Sequence, residues 1–163
     1  MPRKQFLTNL YNELAEKIVS AKKILCTTHI NPDADGIGSA AALCLGFKDL
    51  HKNTTFLLEN KLHKKYHHLV HMVDYIEYES NAQILDDQFV QKFDLILMSE
   101  VIYKTENYDK IAKIIEKLLK PKGEGFCILG TKFYYFGVGG SLPEFEEFLS
   151  KNYPSLKIID IIE

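Results

Sequence analysis

Residues 22–39, Lys-Lys-Ile-Leu-Cys-Thr-Thr-His-Ile-Asn-Pro-Asp-Ala-Asp-Gly-Ile-Gly-Ser, decide how the rest of this chain is interpreted. Residues 24–28 form an apolar and β-branched run, which predicts a buried strand. The run ends in a polar turn that Pro32 stiffens and in which Gly36 and Gly38 allow close backbone approach. A strand, a tight turn and the start of a helix are therefore expected here.

The turn carries one imidazole, His29, and two carboxylates, Asp33 and Asp35. They follow the carboxyl end of a strand, where open α/β sheets bind their ligands. A mixed set of histidine and aspartate suits Mn²⁺, Fe²⁺ or Zn²⁺ better than Ca²⁺. The alternative is that the two aspartates cap the following helix and that His29 is a half-exposed loop residue.

The pattern His-x-Asn-Pro-Asp-x-Asp-x-x-Gly-Ser, which begins at His29, resembles the first motif of the DHH phosphoesterases. This family contains nanoRNases and hydrolases of oligonucleotides or cyclic dinucleotides. The resemblance begins near the amino terminus and is expected to fade between Asn60 and Asp86. It implies that His29, Asp33 and Asp35 bind Mn²⁺ ions that generate the attacking hydroxide, with Asp35 in a catalytic role.

Length and composition indicate one α/β domain of ordinary size. The chain has 163 residues, 46% of them hydrophobic, and a net charge of −2, which gives no bulk bias toward nucleic acid or membrane. Cys26, Cys44 and Cys127 are widely spaced and odd in number, and we interpret them as buried, reduced thiols. We expect no signal peptide and no membrane span, and place the protein in the cytoplasm.

Hydrophobic periodicity predicts alternating helices and strands. We expect a Rossmann-like three-layer α/β sandwich with a mainly parallel sheet of about five or six strands. The predicted helices are 6–20, 37–50, 61–73, 81–92, 108–119 and one capped by Ser141 with Glu144, and the predicted strands are 24–28, 54–58, 75–78, 93–99, 125–131 and 156–162.

His63, His67 and His71 would share one face of the predicted helix 61–73. Such a row could hold a transition metal, or it could be a solvated polar face. We prefer the solvated face, because the two-histidine zinc helix of metalloproteases carries a glutamate after its first histidine, and here that residue is Lys64.

A second resemblance starts at the predicted strand 93–99. Two segments resemble the carboxyl-terminal half of the seven-β-strand S-adenosylmethionine methyltransferases. They are Ser-Glu-Val-Ile-Tyr, which ends at Tyr103, and Gly-Thr-Lys-Phe-Tyr-Tyr-Phe-Gly-Val-Gly-Gly, residues 130–140. Within that class, these residues resemble the protein-histidine methyltransferases. The resemblance places Glu100 and Tyr103 at the edge of the active site and the glycine-rich loop near the acceptor side chain. Alternatively, Glu100 caps a helix, Tyr103 fills the core and the loop is a connection.

Neither family's full set of motifs is present. A methyltransferase should carry a glycine-rich cofactor loop after its first strand, where this chain has the His29 turn. It should also carry an acid after its second strand, where this chain has Glu59-Asn60. We therefore do not expect S-adenosylmethionine binding. A DHH enzyme should add an Asp-His-His motif, but His67-His68 follows Tyr66, and its substrate-binding domain is also missing from the pattern. The carboxyl-terminal half looks truncated before a final antiparallel strand.

The simplest hypothesis is a hybrid within one domain, residues 1–163: a DHH-like half to about residue 85 and a methyltransferase-like half from about residue 93, joined by engineering or by natural recombination. Two parallel βα half-sheets can pair through equivalent strand edges. Glu100 would then join His29, Asp33 and Asp35 as a fourth metal ligand and share the catalytic role of Asp35.

We interpret the chain as a hybrid scaffold that keeps a partial divalent-metal site, with Mn²⁺ as the favoured ion, and lacks full activity. The alternatives are a Mn²⁺-dependent phosphoesterase acting on nucleotides or short oligonucleotides, and a protein-histidine methyltransferase. The expected partners are such a nucleotide or oligonucleotide, no membrane, and a second copy of the chain paired through an exposed strand edge.

Overall fold

The computed structural model describes residues 3–78, 90, 92–121 and 123–158. In this part of the chain, five parallel strands form one sheet in the order β3-β2-β1-β4-β5. The elements are α1 (Arg3–Ser20), β1 (Lys23–Thr27), α2 (Ala34–Asp49), β2 (Asn53–Glu59), a 3₁₀ turn (Lys64–Tyr66), α3 (His67–Val70), β3 (Tyr75–Tyr78), β4 (Leu95–Ser99), a 3₁₀ turn (Thr105–Asn107), α4 (Tyr108–Leu118), β5 (Phe126–Gly130) and α5 (Leu142–Asn152).

The sheet is covered on both sides, which confirms the predicted three-layer α/β fold. Successive residues of a strand point to opposite faces. In β1, Ile24 and Cys26 pack in a core with α2, whereas Leu25 packs in a second core with α4 and α5. Because both faces of β1 are buried, its three central residues, 24–26, are all apolar instead of alternating with polar residues.

The α2 face is packed by small side chains. Ala40, Ala41 and Cys44 are buried on the inner side of the helix, and they let its backbone approach the sheet closely. Cys26 and Cys44 are free and buried as predicted, while Cys127 is free but only half-buried.

The predicted helix 61–73 is wrong. The structure has a 3₁₀ turn at Lys64–Tyr66 and a single helical turn at His67–Val70. The His63 ring accepts a hydrogen bond from the Lys65 backbone N–H, so a side-chain cap starts a new element inside the predicted helix. The backbone N–H of Leu62 is bonded to the Glu77 carboxylate, which also holds the chain outside a helix.

The histidine row therefore does not form a shared helical face. Each ring makes a local contact: His63 with the Lys65 N–H, His67 with the Leu62 carbonyl at 3.3 Å and His71 with the His68 carbonyl at 2.8 Å. All three histidines are exposed, in agreement with the preferred interpretation as solvated polar residues.

The remaining element boundaries differ in detail. The fourth strand begins at Leu95, two residues later than predicted, because Phe93 only forms an isolated bridge with Leu119. Residues 156–158 are not a strand, and the rest of the predicted strand 156–162 lies outside the described residues, as does nearly all of the predicted helix 81–92. None of the helices in the described ranges combines the length and apolarity that crossing a bilayer requires.

Candidate functional site

The candidate site lies at the point where the strand order reverses. β1 is central and pairs with β2 on one side and with β4 on the other, so the loops that follow β1 and β4 leave the sheet at neighbouring positions. In open α/β sheets, the crevice outside the carboxyl ends of two such strands is the usual ligand site. The turn containing His29 follows β1, and Glu100 follows β4 directly.

Asp33 fixes the start of α2. Its backbone is extended, and its Oδ1 accepts a 2.9 Å hydrogen bond from the Gly36 N–H, so it is the N-cap of the helix. This hydrogen bond, with the charge of nearby His29 as a smaller contribution, lowers the pKa of the Asp33 carboxyl. Capping leaves Oδ2 and further lone pairs free, so the same carboxylate can cap the helix and bind a cation.

His29 is oriented by its own loop. Its Nδ1 lies 3.0 Å from the Ile30 carbonyl oxygen, and the tautomer that donates there leaves the Nε2 lone pair available. Nε2 lies 3.8 Å from Asp33 Oδ1. A backbone carbonyl behind one ring nitrogen and an open second nitrogen is the arrangement found in metal-binding histidines.

Two backbone features shape this turn. Asn31 adopts a left-handed conformation with φ of 54°, which asparagine tolerates better than most residues. At Gly36 an added Cβ would lie 2.6 Å from Thr28 Oγ1 and 3.5 Å from His29 Nε2. Glycine is therefore needed for the first turn of α2 to approach the end of β1.

Asp35 lies in the first turn of α2 and is exposed. A carboxylate there is favoured by the helix dipole, whether or not it binds a cation. The position keeps it on the same short turn as His29 and Asp33.

Glu100 follows β4 in a left-handed conformation, with φ of 55°, and its N–H bonds the Gly130 carbonyl at 2.8 Å. Its carboxylate lies 3.9 Å from Lys132 Nζ. Burial, with a smaller contribution from the nearby Glu100 carboxylate, raises the pKa of the Tyr135 hydroxyl. The structure thus brings His29 and Asp33 together and ties Glu100 to the loop after β5. Within the described ranges, no group of three or more His, Cys, Asp or Glu side chains is arranged to hold a metal ion.

Two tyrosines connect the loops that follow β1, β4 and β5. The Tyr103 ring meets His29 edge-on, with 6.5 Å between ring centroids, and meets Tyr135 at 6.4 Å. The Tyr135 hydroxyl also contacts Thr131 Oγ1 at 2.9 Å and accepts from the Lys132 N–H at 3.2 Å. The sequence predicted a role for Tyr103 but missed Tyr135, whose only sequence signal is its place in the glycine-rich loop.

At Gly140, the backbone of the loop after β5 packs closely against the loop after β4. Its N–H donates to the Tyr103 carbonyl at 3.0 Å, and an added Cβ would lie 2.1 Å from the Ile102 carbonyl oxygen. The contact fixes the relative positions of the segments that carry Glu100 and Tyr135.

Comparisons with known proteins give two kinds of similarity. The chain is 42% identical over 59 residues to the histidine protein methyltransferase 1 homolog of Dictyostelium discoideum, covering 36% of this chain and 18% of that protein. It is 35% identical over 68 residues to the rat (Rattus norvegicus) homolog, covering 42% and 18%. The chain thus spans less than a fifth of the length of these relatives.

A solved structure shares the fold. The crystal structure of an exopolyphosphatase-related protein from Bacteroides fragilis superimposes with a TM-score of 0.52 at 17% identity, covering 86% of this chain and 42% of that one.

A family model extends over the whole site. The model for the N-terminal domain of the DHH family matches residues 23–115, which include His29, Asp33, Asp35 and also Glu100. The match continues beyond the region between Asn60 and Asp86 where the resemblance was expected to fade. The hybrid character predicted from the motifs is supported by similarity to both groups of proteins. Because the matched segment is more than half of the chain, this protein belongs to the DHH family and carries its N-terminal domain.

Proposed function

We propose that this chain is a hybrid α/β domain that binds a divalent metal ion, with Mn²⁺ favoured, and acts on the phosphate of a nucleotide or short oligonucleotide at a rate well below that of a complete phosphoesterase. One observation carries the proposal: His29 Nε2 and Asp33 Oδ1 face each other 3.8 Å apart, at the switch point of a DHH-family sheet. Asp35, on the same turn, and Glu100, after the adjacent strand, would complete the ligand set.

The donor set fits such an ion. An imidazole nitrogen with carboxylate oxygens suits Mn²⁺, Fe²⁺ or Zn²⁺. When bound, such an ion supplies an activated water and neutralises phosphate charge. The chain's own residues orient the site: Ile30 holds the His29 ring, and the Gly36 N–H holds the Asp33 carboxylate.

We expect a low rate of hydrolysis because of the surroundings of Asp35 and Glu100, the other two proposed ligands. Asp35 is exposed on the first turn of α2, and the Glu100 carboxylate lies 3.9 Å from Lys132 Nζ. Metal binding would have to draw Glu100 away from this lysine. We therefore expect weaker affinity and slower hydrolysis than a preformed four-ligand site would give.

The test of catalysis is release of product from a dinucleotide with and without MnCl₂, under single-turnover conditions. We expect slow Mn²⁺-dependent release that Asp35→Ala abolishes and Asp49→Ala retains, because Asp49 is an exposed carboxylate at the opposite end of the same helix. Release that is independent of Mn²⁺, or equal in the two variants, would contradict the proposal.

Glu100→Gln tests the fourth ligand separately. The substitution keeps the size of the side chain and removes its charge. We expect weaker Mn²⁺ binding, and an unchanged affinity would remove Glu100 from the site.

A second candidate function, methyl transfer to protein histidine, is favoured by the similarity to the methyltransferase relatives. Two features oppose it. The turn after β1 carries the His29 motif in place of a glycine-rich cofactor loop, and Glu59, at the end of β2, is 6% exposed and ion-paired with Lys110. We expect no change in melting temperature with S-adenosylmethionine, and a concentration-dependent rise would favour the methyltransferase.

A further inference from the structure

The loop between β5 and α5 presents an unusual set of exposed aromatic rings. Phe136 is 91% exposed, and Tyr134 and Phe133 are 53% and 39% exposed. We call residues 133–138 the aromatic loop. Exposed aromatic rings in contact with one another form an amphipathic surface that suits flat ligands.

The rings of the aromatic loop are held in place. Phe133 and Tyr134 meet edge-on with centroids 4.8 Å apart, and Tyr134 and Phe136 lie 6.2 Å apart. Tyr134 forms an isolated antiparallel β-bridge with Ser141, and the Phe133 carbonyl accepts a hydrogen bond from the Leu142 N–H at 3.0 Å. The start of the aromatic loop is therefore tied to the start of α5 while the rings face solvent.

The aromatic loop is joined to the proposed metal turn by ring contacts. Tyr135, inside the loop, packs on Tyr103, and Tyr103 packs on His29. A ligand on the exposed rings would therefore lie at the same end of the sheet as the candidate metal ligands.

Two cations lie beside the rings, and each is paired with a carboxylate. Residues 131–140 contain one charged side chain, Lys132, which is 69% exposed. Its partner is Glu100, the residue that would turn to the metal in the proposed site. Lys104, near the Tyr103 ring, is a second cation and is paired with Glu106 at 3.4 Å.

We propose that the aromatic loop is a stacking platform for a nucleobase, with Phe136 and Tyr134 as its main contacts, and that it holds the base of a nucleotide or short single strand whose phosphate lies toward the His29 turn. The inference rests on the proposed function for the position of the phosphate. Aromatic rings beside a cation are the usual means of holding a base without reading its sequence. A protein partner or a second copy of the chain would be the alternative occupant.

The test is binding without metal, so that it does not depend on hydrolysis. A fluorescein-labelled oligodeoxyadenylate is titrated in EDTA and followed by anisotropy, for the unmutated chain, Phe136→Ala and Tyr134→Ala. Since one stacked base contributes a factor of about 5 to 150 in Kd, each variant should weaken binding by at least about fivefold. Tyr11→Ala is the matched control, because Tyr11 is 61% exposed on α1, and it should leave Kd unchanged.

Competition separates base stacking from charge attraction. AMP should displace the labelled strand, and ribose 5-phosphate, which carries the same phosphate without a base, should not. Strand binding in EDTA and Mn²⁺-dependent release are measured separately on the unmutated chain. Binding without release would thus overturn the proposed catalysis and leave the platform standing.

Three results would overturn the platform: unchanged affinity in Phe136→Ala, equal displacement by ribose 5-phosphate and AMP, or an equal loss in Tyr11→Ala. Concentration-dependent self-association in sedimentation that Phe136→Ala abolishes, with no change in strand binding, would assign the aromatic loop to contact between copies instead.

Discussion

At the scale of single residues, Gly36 and Gly38 form a natural pair for testing the metal turn. A Cβ on Gly36 would lie 2.6 Å from Thr28 Oγ1, whereas one on Gly38 would meet nothing within 4 Å. Gly36→Ala should therefore lower the free energy of unfolding by about 1–3 kcal/mol. Gly38→Ala should raise it by about 0.5–1 kcal/mol, because alanine is the better helix former. Urea unfolding of both variants checks this, and equal stabilities would contradict the described turn.

Asp33 has two proposed roles, helix cap and metal ligand, which substitutions can separate. Serine keeps an oxygen that can accept from the Gly36 N–H, and alanine does not. Asp33→Ala should lower the free energy of unfolding, whereas Asp33→Ser should leave it almost unchanged. Both variants should lose any stabilisation by Mn²⁺. If Asp33→Ser kept the full Mn²⁺ effect, Asp33 would be a cap only.

The residues of this turn could be predicted from the sequence because the motif is local. His29, Asp33 and Asp35 lie within seven consecutive residues, and one turn places them near each other. The side-chain partners of Glu100 could not be predicted in this way. They depend on a left-handed backbone at Glu100 and on a loop that begins thirty residues later.

At the scale of elements, the start of α5 depends on a side chain from α4. The sequence predicted a capping box at Ser141 and Glu144, and the Glu144 N–H does donate to Ser141 Oγ at 3.3 Å. The Glu144 carboxylate, however, bonds the serine hydroxyl at 3.0 Å instead of the serine N–H. The Tyr108 hydroxyl accepts a hydrogen bond from the Ser141 N–H at 2.8 Å and donates one to the Ser141 carbonyl at 3.0 Å. A contact between residues 33 positions apart cannot be found from local spacing.

Tyr108→Phe tests this contact. It leaves the Ser141 N–H without its partner in a buried position, while the Ser141 carbonyl still accepts from the Phe145 N–H at 3.1 Å. The substitution should therefore lower the free energy of unfolding by about 1–3 kcal/mol. Tyr11→Phe is the control, because an exposed hydroxyl should contribute almost nothing. Thermal or urea unfolding measures both, and equal values would mean that water replaces the tyrosine hydroxyl at no cost.

The segment 61–73 shows the limit of periodicity. Val70 is buried, yet the segment is only a 3₁₀ turn followed by one helical turn. Apolar spacing alone does not separate a helix from a series of turns, and local capping by His63 decides the backbone here.

At the scale of the whole molecule, the two halves of the chain share their cores. β1 pairs with β4 along the middle of the sheet, and Leu25 and Leu57 pack in the core of the α4 face. The parallel α/β class could be predicted from alternating elements. The strand order could not, since it depends on which edges of two similar half-sheets meet.

Asp94 joins the halves at the opposite end of the sheet. Its Oδ2 accepts from the backbone N–H groups of Lys22 at 2.9 Å and Lys23 at 2.7 Å, and its Oδ1 pairs with Lys120. Burial alone would raise the pKa of the Asp94 carboxyl, but the hydrogen bonds from Lys120, Lys23 and Lys22 outweigh it and lower this pKa.

A pH dependence follows from this lowered pKa. A carboxyl whose pKa is lower in the folded state than in the unfolded state stabilises the fold above the unfolded pKa, and this contribution is lost as pH falls through the folded pKa. Asp94→Asn should therefore cost about 1–3 kcal/mol at pH 7 and progressively less below about pH 4. Urea unfolding at both pH values checks this. A difference between the two proteins that stays constant with pH would show that the charge of Asp94 contributes nothing.

The measurement that tests the central claim most directly is a thermal-melt titration with MnCl₂ on the unmutated chain, Asp35→Ala and Asp49→Ala. A ligand that binds only the folded state raises the melting temperature as its concentration exceeds its Kd. The proposed site predicts a rise in the unmutated chain and in Asp49→Ala, and none in Asp35→Ala. Melting temperatures that are insensitive to Mn²⁺, or that rise equally in all three proteins, would contradict a metal site at the turn after β1.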